Sequence, residues 1–275
     1  MIKKIIVISV LLIAISGVSI SAVEAYEKEI SELKTALINS GVDKEWLEAG
    51  FSLDQFKIYP EIATLFGRMA ENRVKNKEKD FEWYKNHFGL DLKSRLGKGF
   101  LEKHKEALDA AEVRNGIHRE LVAAIIGMET NYGDKLYIGR FGVFNALASQ
   151  YVLMEKRQKF ALNELIALYR FSRQINRPIE YFKGSFAGAS GLGQFIPSSL
   201  VSFFIDLNGN PYDTDIYSMD DTISSVENYL FRHRLNGTTI NDTETLYKAV
   251  FAYNRSDAYV RAVIYIYEKL RLDGK

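Results

Sequence analysis

The stretch from Gly116 to Gly133, GIHRELVAAIIGMETNYG, decides the fold of this chain. Its apolar side chains recur three and four residues apart, which predicts a helix that is buried on most sides. Glu129 lies one turn beyond Ile125 and Ile126, because residues at this spacing are neighbours on a helix surface. A carboxyl group held against aliphatic side chains resists ionisation and can act as a general acid. The alternative is that Glu129 only ends a buried helix, with Gly133 as its C-cap.

The composition and net charge exclude several classes of protein and of binding partner. The 275 residues are 47% hydrophobic and 26% charged, which is enough for one substantial core. The formal net charge of +1 leaves no basic surface for nucleic acid, so no nucleic-acid partner is predicted. The chain has no cysteine. Disulfides, thiolate catalysis and lipid attachment through an N-terminal cysteine are therefore excluded.

Residues 1–25 have the pattern of a secretory signal peptide. Lys3 and Lys4 precede an apolar run, and Val23-Glu24-Ala25 supplies a small-residue cleavage site. The apolar span through Val23 is barely long enough to cross a bilayer, so a retained N-terminal membrane anchor is the alternative. The sequence predicts an exported protein of the periplasm or cell envelope.

Helical spacing dominates the rest of the chain, which predicts a mainly α fold with few short strands. Any strands are expected around a glycine-rich stretch or around the loop at Asp206. The charged residues 67–82 are interpreted as a solvated face or connector. The aromatic-rich segment Phe81–Phe88 has no clear period and is interpreted as a core-packing loop or a ligand-facing segment.

The glycine-rich stretch is KGSFAGASGLGQFIP, residues 183–197, and it predicts tight turns and close backbone approach. Its glycines stand in the wrong order for a dinucleotide-binding fingerprint, and it lacks one residue of a nucleophile elbow. The four histidines form no His-Glu-x-x-His, so a zinc hydrolase has no support. Oxygen-bearing side chains alternate from Asp206 onward as in a calcium loop, although Pro211 stands where an EF-hand has glycine. A plain Asn/Asp turn is equally open.

Several motifs, in this order, resemble those of lytic transglycosylases. They are Glu129-Thr-Asn-Tyr-Gly133, the stretch from Gly191 to Ser198, and Ala252-Tyr-Asn254. The segment from Lys183 to Ser199 resembles the membrane-bound lytic transglycosylase B branch more closely. The same holds for Tyr253-Asn-Arg-Ser-x-x-Tyr259 and Tyr84-x-Asn-x-Phe88. The resemblance runs from about residue 30 to about residue 270.

The resemblance implies a goose-type, lysozyme-like catalytic core over residues 111–275, with an additional N-terminal helical lobe over 26–110, in one catalytic module. It implies cleavage of the β-1,4 bond between N-acetylmuramic acid and N-acetylglucosamine in peptidoglycan, giving a 1,6-anhydromuramyl end without adding water. Glu129 would be the single acid/base. The substrate-binding residues would be Tyr84, Tyr132, Ser185, Gln194, Tyr253 and Asn254.

One carboxylate can act as both the general acid and the general base. Ordinary glycosidases place a second carboxylate about 5–9.5 Å from the first. Near Glu129 in sequence the only other acid is Asp134, which lies beyond the predicted helix end. The N-acetyl group of the substrate can instead stabilise positive charge at C1. Neutral polar groups such as Ser185 and Asn254 suit this site, because they orient sugars without lowering the pKa of Glu129 through a cation.

The chain departs from the branch at three places. Tyr132 stands where the branch often has Trp, the lipid-attachment cysteine is absent, and Pro211 interrupts the calcium loop. No cofactor is expected to be required, and a structural calcium is left open.

The expected partners are peptidoglycan glycan strands and cell-wall or secretion machinery, and the protein is expected to be a monomer. The alternatives are a hydrolytic muramidase and a peptidoglycan-binding scaffold. The calcium ligands would be Asp206, Asn208, Asn210, the Tyr212 carbonyl and Asp221.

Overall fold

The computed structural model describes residues 25–52, 56–77, 79–210 and 212–272. Apart from Ala25, the predicted signal peptide or anchor lies outside the described residues, and so does Pro211 of the Asp206 loop. None of the helices in the described ranges is long and apolar enough to cross a bilayer.

Within the described residues, six helices precede the central helix. They are α1 (Glu27–Asn39), α2 (Lys44–Phe51), α3 (Glu61–Lys75), α4 (Phe81–Phe88), α5 (Leu90–Lys103) and α6 (Lys105–Asn115). The central helix α7 and its successors are α7 (Arg119–Thr130), α8 (Val143–Leu153), α9 (Gln158–Gln174), α10 (Pro197–Phe203), α11 (Met219–Arg232), α12 (Thr243–Tyr253) and α13 (Asp257–Leu272). Single 3-10 turns cover Lys135–Tyr137, Glu155–Arg157 and Ile179–Tyr181.

Helix α7 is the centre of the core, as its apolar spacing predicts. Every residue from Leu121 to Gly127 is buried. The helix packs mainly on α13 and α5, with α11 and α6 completing its surroundings. One buried cluster runs from Ile30 in α1 to Leu270 in α13, so the two predicted lobes share a core. The predicted boundary at residue 110 falls inside α6.

Two segments differ from their interpretation as connector and loop. Residues 67–75 continue α3, and their side chains are exposed, so the solvated face is helical. The aromatic-rich segment is helix α4. Its N-cap Asp80 accepts a hydrogen bond from the Trp83 N–H at 2.8 Å, and Gly89 ends it with φ of 62°. Capping residues at both ends define this helix where the apolar period does not.

The strands are short and lie at the glycine-rich stretch, as predicted. Strand β1 (Phe141–Gly142) pairs antiparallel with β2 (Lys183–Gly184). Isolated bridges then join Gly184 to Ser190 and Ser190 to Phe195. A Cβ on Gly184 would lie 1.8 Å from the backbone oxygen of Ala189, so only glycine fits there. The paired segments fold this stretch back towards the end of α7.

Candidate active site

Helix α7 ends in a left-handed turn directly after Glu129 and Thr130. Asn131, Tyr132 and Gly133 have φ of 49°, 66° and 88°. The C-cap is Asn131, so the expectation that Gly133 caps the helix is wrong by two residues. Residues with a Cβ rarely adopt this conformation, so neighbouring structure must hold it. Glu129 therefore lies in the last turn of a buried helix, beside an unusual backbone bend.

The Glu129 carboxyl is half-buried and has one hydrogen-bond donor at close range. Tyr259 Oη donates to its Oε1 at 2.5 Å. Burial raises the pKa of Glu129 to about 7, and the Tyr259 hydrogen bond and the positive charge of Lys93 oppose that rise. A carboxyl with a pKa near neutrality can give a proton in one step and take one in the next.

Two tyrosines face this carboxyl from the end of α12 and the start of α13. Burial, followed by the nearby Glu129, raises the pKa of both Tyr253 and Tyr259 well above the ordinary value, so both remain hydrogen-bond donors. Tyr253 Oη donates to the Gly193 carbonyl at 2.6 Å. Tyr259 is absent from the predicted site residues, although it closes the motif that begins at Tyr253.

The glycine-rich loop is fixed to the same end of α7. Thr130 Oγ1 donates to the Leu192 carbonyl at 2.7 Å. Gln194 has φ of 50°, and its Nε2 donates to the Ile138 and Gly191 carbonyls, both at 3.0 Å. Ser185 Oγ accepts the Ala189 N–H at 3.2 Å. These bonds hold the loop that carries Ser185 and Gln194 next to the helix end that carries Glu129.

The other three predicted binding residues are placed differently. Tyr132 Oη donates to the Lys93 carbonyl at 2.8 Å, and its ring covers Gly127, so it joins α7 to α5. Tyr84 Oη donates to the Asn76 carbonyl at 2.8 Å, and Asn254 is an exposed residue at the end of α12. Contact of these residues with a substrate stays a prediction.

Lys93 is a cation in a site for which only neutral polar groups were expected. It is half-buried on α5, and its Nζ donates to the Gly127 carbonyl at 2.7 Å and to Asn131 Oδ1 at 3.2 Å. Its charge lowers the pKa of Glu129. Periodicity and motifs do not single out Lys93, because nothing in a helix of mixed polarity distinguishes it from the other lysines.

The half-buried Glu129 differs from Glu164 and Glu227, which are buried. Glu164 accepts hydrogen bonds from the Ser198 N–H and Oγ, both at 2.8 Å. Glu227 accepts from Asn115 Nδ2 at 2.6 Å and pairs with Arg114 at 3.3 Å. Both carboxylates use their two oxygens to join helices. Within the described ranges, the groups that shift the pKa of Glu129 include no second carboxylate.

The Asp206 loop is braced by its own hydrogen bonds. Asp206 Oδ1 accepts the Asn210 N–H at 2.8 Å, while the two oxygens of Asp221 accept the N–H groups of Leu207 and Asp215. Burial, and then the charges of Asp206 and Asp215, raise the pKa of Asp221. Among the described residues, no three His, Cys, Asp or Glu side chains are grouped to hold a metal ion. The predicted calcium ligands (Asp206, Asn208, Asn210, the Tyr212 carbonyl and Asp221) include two asparagines and a backbone carbonyl, so calcium binding by this loop stays a prediction.

Comparison with known families gives a match over most of the chain. Residues 25–243 match the family described as the transglycosylase SLT domain. Membrane-bound lytic murein transglycosylase B of Escherichia coli strain K12 is 32% identical to the chain over 134 residues. That alignment covers 49% of this chain and 36% of the relative, so the match spans about a third of the relative's length.

Solved structures share the fold. An Escherichia coli lytic transglycosylase in complex with bulgecin A has a TM-score of 0.76 and 20% identity, covering 90% of this chain and 93% of that one. The same enzyme in complex with calcium has a TM-score of 0.74, with the same identity and coverage. Pseudomonas aeruginosa SltB3 in complex with NAG-anhNAM-pentapeptide has a TM-score of 0.72 and 19% identity, covering 90% and 79%. These similarities confirm the predicted mainly α, lysozyme-like fold.

Proposed function

The chain belongs to the transglycosylase SLT domain family, and on that premise we propose that it is a lytic transglycosylase of peptidoglycan. Its substrate is the β-1,4 bond between N-acetylmuramic acid and N-acetylglucosamine. The observation that carries the proposal is a single carboxyl, Glu129, whose pKa is raised to about 7 at the end of a buried helix. Relatives of the same fold have been solved with bulgecin A and with NAG-anhNAM-pentapeptide.

In the first step Glu129 is a general acid. It transfers its proton to the glycosidic oxygen of the leaving N-acetylglucosamine while the bond from that oxygen to C1 breaks. The N-acetyl oxygen of the muramyl residue supplies an electron pair to the positive C1, which removes the need for a second carboxylate. Burial favours this step, because it keeps the proton on Glu129 near neutral pH.

In the second step the Glu129 carboxylate is a base. The C6 hydroxyl of the same muramyl residue attacks C1, the N-acetyl oxygen leaves, and Glu129 takes the hydroxyl proton. The product is a 1,6-anhydromuramyl end, and Glu129 regains its starting form without consuming water. The Tyr259 hydrogen bond stabilises the carboxylate between the two steps. Ser185, Gln194, Tyr253 and Asn254 are proposed to hold the muramyl residue, with Tyr84 and Tyr132 as further binding residues.

The proposed location follows from the substrate. Peptidoglycan lies outside the cytosol, so we place the protein in the periplasm or cell envelope, exported by the N-terminal signal or held by it as an anchor. Its partners are glycan strands, with cell-wall or secretion machinery as the expected protein partners of a monomer. Appearance of the protein in the envelope fraction, and its loss from that fraction when residues 1–25 are deleted, would test this location.

Product analysis tests the reaction. Purified protein is incubated with sacculi, and the released muropeptides are analysed by mass spectrometry. Anhydromuramyl ends support the proposal, whereas reducing ends would show the hydrolytic muramidase. Binding of sacculi without release of muropeptides would show the scaffold and overturn the enzymatic proposal.

The variant Glu129→Gln tests the assigned residue. It keeps the shape of the side chain and the acceptor for Tyr259 but has no proton to transfer. Release should fall by at least about 10²-fold, while sacculus binding stays near that of the wild type. The matched control Glu244→Gln changes an exposed glutamate on α12 and should leave release unchanged. Full release by Glu129→Gln would contradict the mechanism.

A further inference from the structure

Lys93 contacts the end of α7 on both sides of Glu129. Its Nζ donates to the Gly127 carbonyl at 2.7 Å and to Asn131 Oδ1 at 3.2 Å. Its own carbonyl accepts a hydrogen bond from Tyr132 Oη at 2.8 Å. Gly127 and Asn131 stand two residues before and two residues after Glu129. One residue of α5 therefore holds the helical turn that carries Glu129 and the bend that follows it.

The Gly127 carbonyl at the end of α7 has no backbone donor in the helix, and Lys93 supplies a side-chain donor. The N–H of the C-cap Asn131 reaches the Ile126 carbonyl, so it does not pair with the Gly127 carbonyl one residue further on. The last carbonyls of an α-helix have no intrahelical partner and carry partial negative charge. A lysine ammonium satisfies both the missing hydrogen bond and the charge.

The bend after Glu129 also depends on α5. Asn131 and Tyr132 both have positive φ, which is unfavourable for residues with a Cβ. Lys93 holds Asn131 through its side chain and Tyr132 through its carbonyl. A Cβ on Gly97, one turn after Lys93, would lie 2.6 Å from Tyr132 Oη, so the two helices approach closely here. The contacts leave the bend little freedom to move relative to α5.

We propose that Lys93 is a positioning residue that fixes the Glu129 carboxyl at the end of α7 and keeps a positive charge beside it. The inference rests on the proposed function, in which Glu129 is the acid/base. Lys93 does not touch the substrate in this assignment. It acts through the backbone turn and through the electric field at Glu129.

The charges around Glu129 are consistent with this role. In the part of the chain that the structure describes, the titratable groups that interact with the Glu129 carboxyl are Lys93 on α5, Tyr253 on α12 and Tyr259 on α13. Burial lowers the pKa of Lys93 and Glu129 raises it, so each group favours the charged form of the other. The two tyrosines stay neutral, because burial raises the pKa of both. Of the cations in the described ranges, Lys93 is thus the one that lowers the pKa of Glu129.

The test is a titration of the Glu129 carboxyl in wild type, Lys93→Gln and Lys93→Arg. The full chain is labelled with ¹³C at glutamate side chains, and Glu129→Gln identifies the resonance. Lys93→Gln keeps a donor without the charge, so the pKa of Glu129 should rise by about one unit. Lys93→Arg keeps the charge and should hold the pKa within about 0.3 of the wild type, well below a typical charge effect. The alkaline fall in muropeptide release should move by the same amount.

A merely structural role would give a different result. Tyr132→Phe removes a hydrogen bond from the same bend without changing charge, and it should lower the melting temperature while leaving the pKa of Glu129 unchanged. If Lys93→Gln behaves like Tyr132→Phe, the proposal is overturned. If Lys93→Gln does not fold, Lys93→Arg decides: a wild-type pKa and pH profile support the proposal, and an altered pKa overturns it. If the wild type releases no muropeptides but the titration shifts as expected, the proposed function fails while the placement of Lys93 stands.

Discussion

Tyr259 donates a hydrogen bond of 2.5 Å to Oε1 of Glu129, which joins two residues 130 positions apart in the chain. The bond favours the carboxylate, whereas burial favours the carboxylic acid. Their balance, with a contribution from Lys93, gives Glu129 a pKa of about 7. Neither proton donation nor proton uptake is then strongly uphill at neutral pH, which is what the proposed two-step reaction requires of one residue.

Removing the phenol hydroxyl should shift this balance. In Tyr259→Phe the pKa of Glu129 should rise further, because a hydrogen bond that lowers it is lost. The acid step needs protonated Glu129, so the alkaline fall of kcat/KM should move to higher pH by about one unit. The measurement is the initial rate of muropeptide release from pH 5 to pH 10.

Tyr265→Phe is the matched control. Tyr265 lies on the same helix and donates to Asp91 Oδ1 at the same distance of 2.5 Å, but its contacts are away from Glu129. Its pH profile should match that of the wild type. An unshifted profile for Tyr259→Phe would show that the bond to Glu129 does not control the protonation of the acid.

The stability of the protein should also depend on Glu129 and pH. The pKa of Glu129 is about 7 in the folded protein and 4.5 for an unperturbed glutamate. The folded state binds this proton more tightly, so the contribution of Glu129 to stability is greatest below pH 4.5 and is lost as the pH rises through about 7. Glutamine has no charge to desolvate. At pH 8 the free energy of unfolding of Glu129→Gln should exceed that of the wild type by about 1–3 kcal/mol.

Urea denaturation at pH 4 and at pH 8 measures the difference. The gain should shrink towards zero at pH 4, where Glu129 is protonated in both states. Glu244→Gln, an exposed glutamate on α12, should show no such pH dependence. Equal effects of Glu129→Gln at the two pH values would mean that the carboxyl is not desolvated in the folded protein.

The sequence predicts the catalytic candidate better than its surroundings. Apolar spacing locates α7 and places Glu129 against Ile125 and Ile126, because the positions of apolar residues along a helix show which of its faces are buried. The partner of Glu129 lies 130 residues away, and only the motif that ends at Tyr259 pointed towards it. Lys93 has no such signal, because its role depends on how closely α5 approaches α7. How closely two helices approach is set by the packing of their side chains, and the apolar period of one sequence does not contain that information.

In local structure, too, some features are predictable from the sequence and others are not. The glycine-rich stretch predicts tight turns and close approach, and the structure confirms both at Gly184 and Gln194. The segment Phe81–Phe88 is rich in aromatic residues and has no clear apolar period, which predicts a loop or a ligand-facing segment and not a helix. Its helix is short and defined by caps at Asp80 and Gly89, so the informative residues lie outside the segment itself.

Thr130 should be essential for holding the glycine-rich loop on α7. Its side chain is fully buried, and Oγ1 donates to the Leu192 carbonyl at 2.7 Å. Thr130→Val keeps the shape but leaves that carbonyl without its donor, so the free energy of unfolding should fall by about 1–3 kcal/mol. Muropeptide release should fall as well, because the loop that carries Ser185 and Gln194 loses an attachment. Urea denaturation and release assays measure the two effects.

Thr35→Val provides the comparison for Thr130→Val. Thr35 Oγ1 also donates to a backbone carbonyl, that of Ser31 at 2.9 Å, but the pair is exposed on α1. Water can replace this bond, so stability should change by less than about 0.5 kcal/mol. A similar small change in Thr130→Val would show that the loop is held without this hydrogen bond.

Calcium should leave the thermal stability of the protein unchanged. In the Asp206 loop the carboxylates of Asp206 and Asp221 already accept backbone N–H groups. A ligand that binds only the folded state raises the melting temperature with its concentration. Melting temperatures in millimolar calcium and in EDTA should therefore agree, with magnesium as the control for ionic strength. A rise specific to calcium would confirm the calcium site predicted from the sequence.

Replacement of Gly184 should disrupt the site without touching a catalytic group. A Cβ there would lie 1.8 Å from the Ala189 oxygen, and because this neighbour is backbone it cannot turn aside. Gly184→Ala should lower the melting temperature and reduce release of muropeptides, since β2 and the loop after it must move. Gly67→Ala is the matched control. Apart from its chain neighbours and the backbone of its own helix, no described atom lies within 4 Å of the added Cβ, and alanine at this exposed position of α3 should stabilise the protein by about 0.5–1 kcal/mol. If the two variants had the same stability and activity, the close approach at Gly184 would not be what shapes the loop.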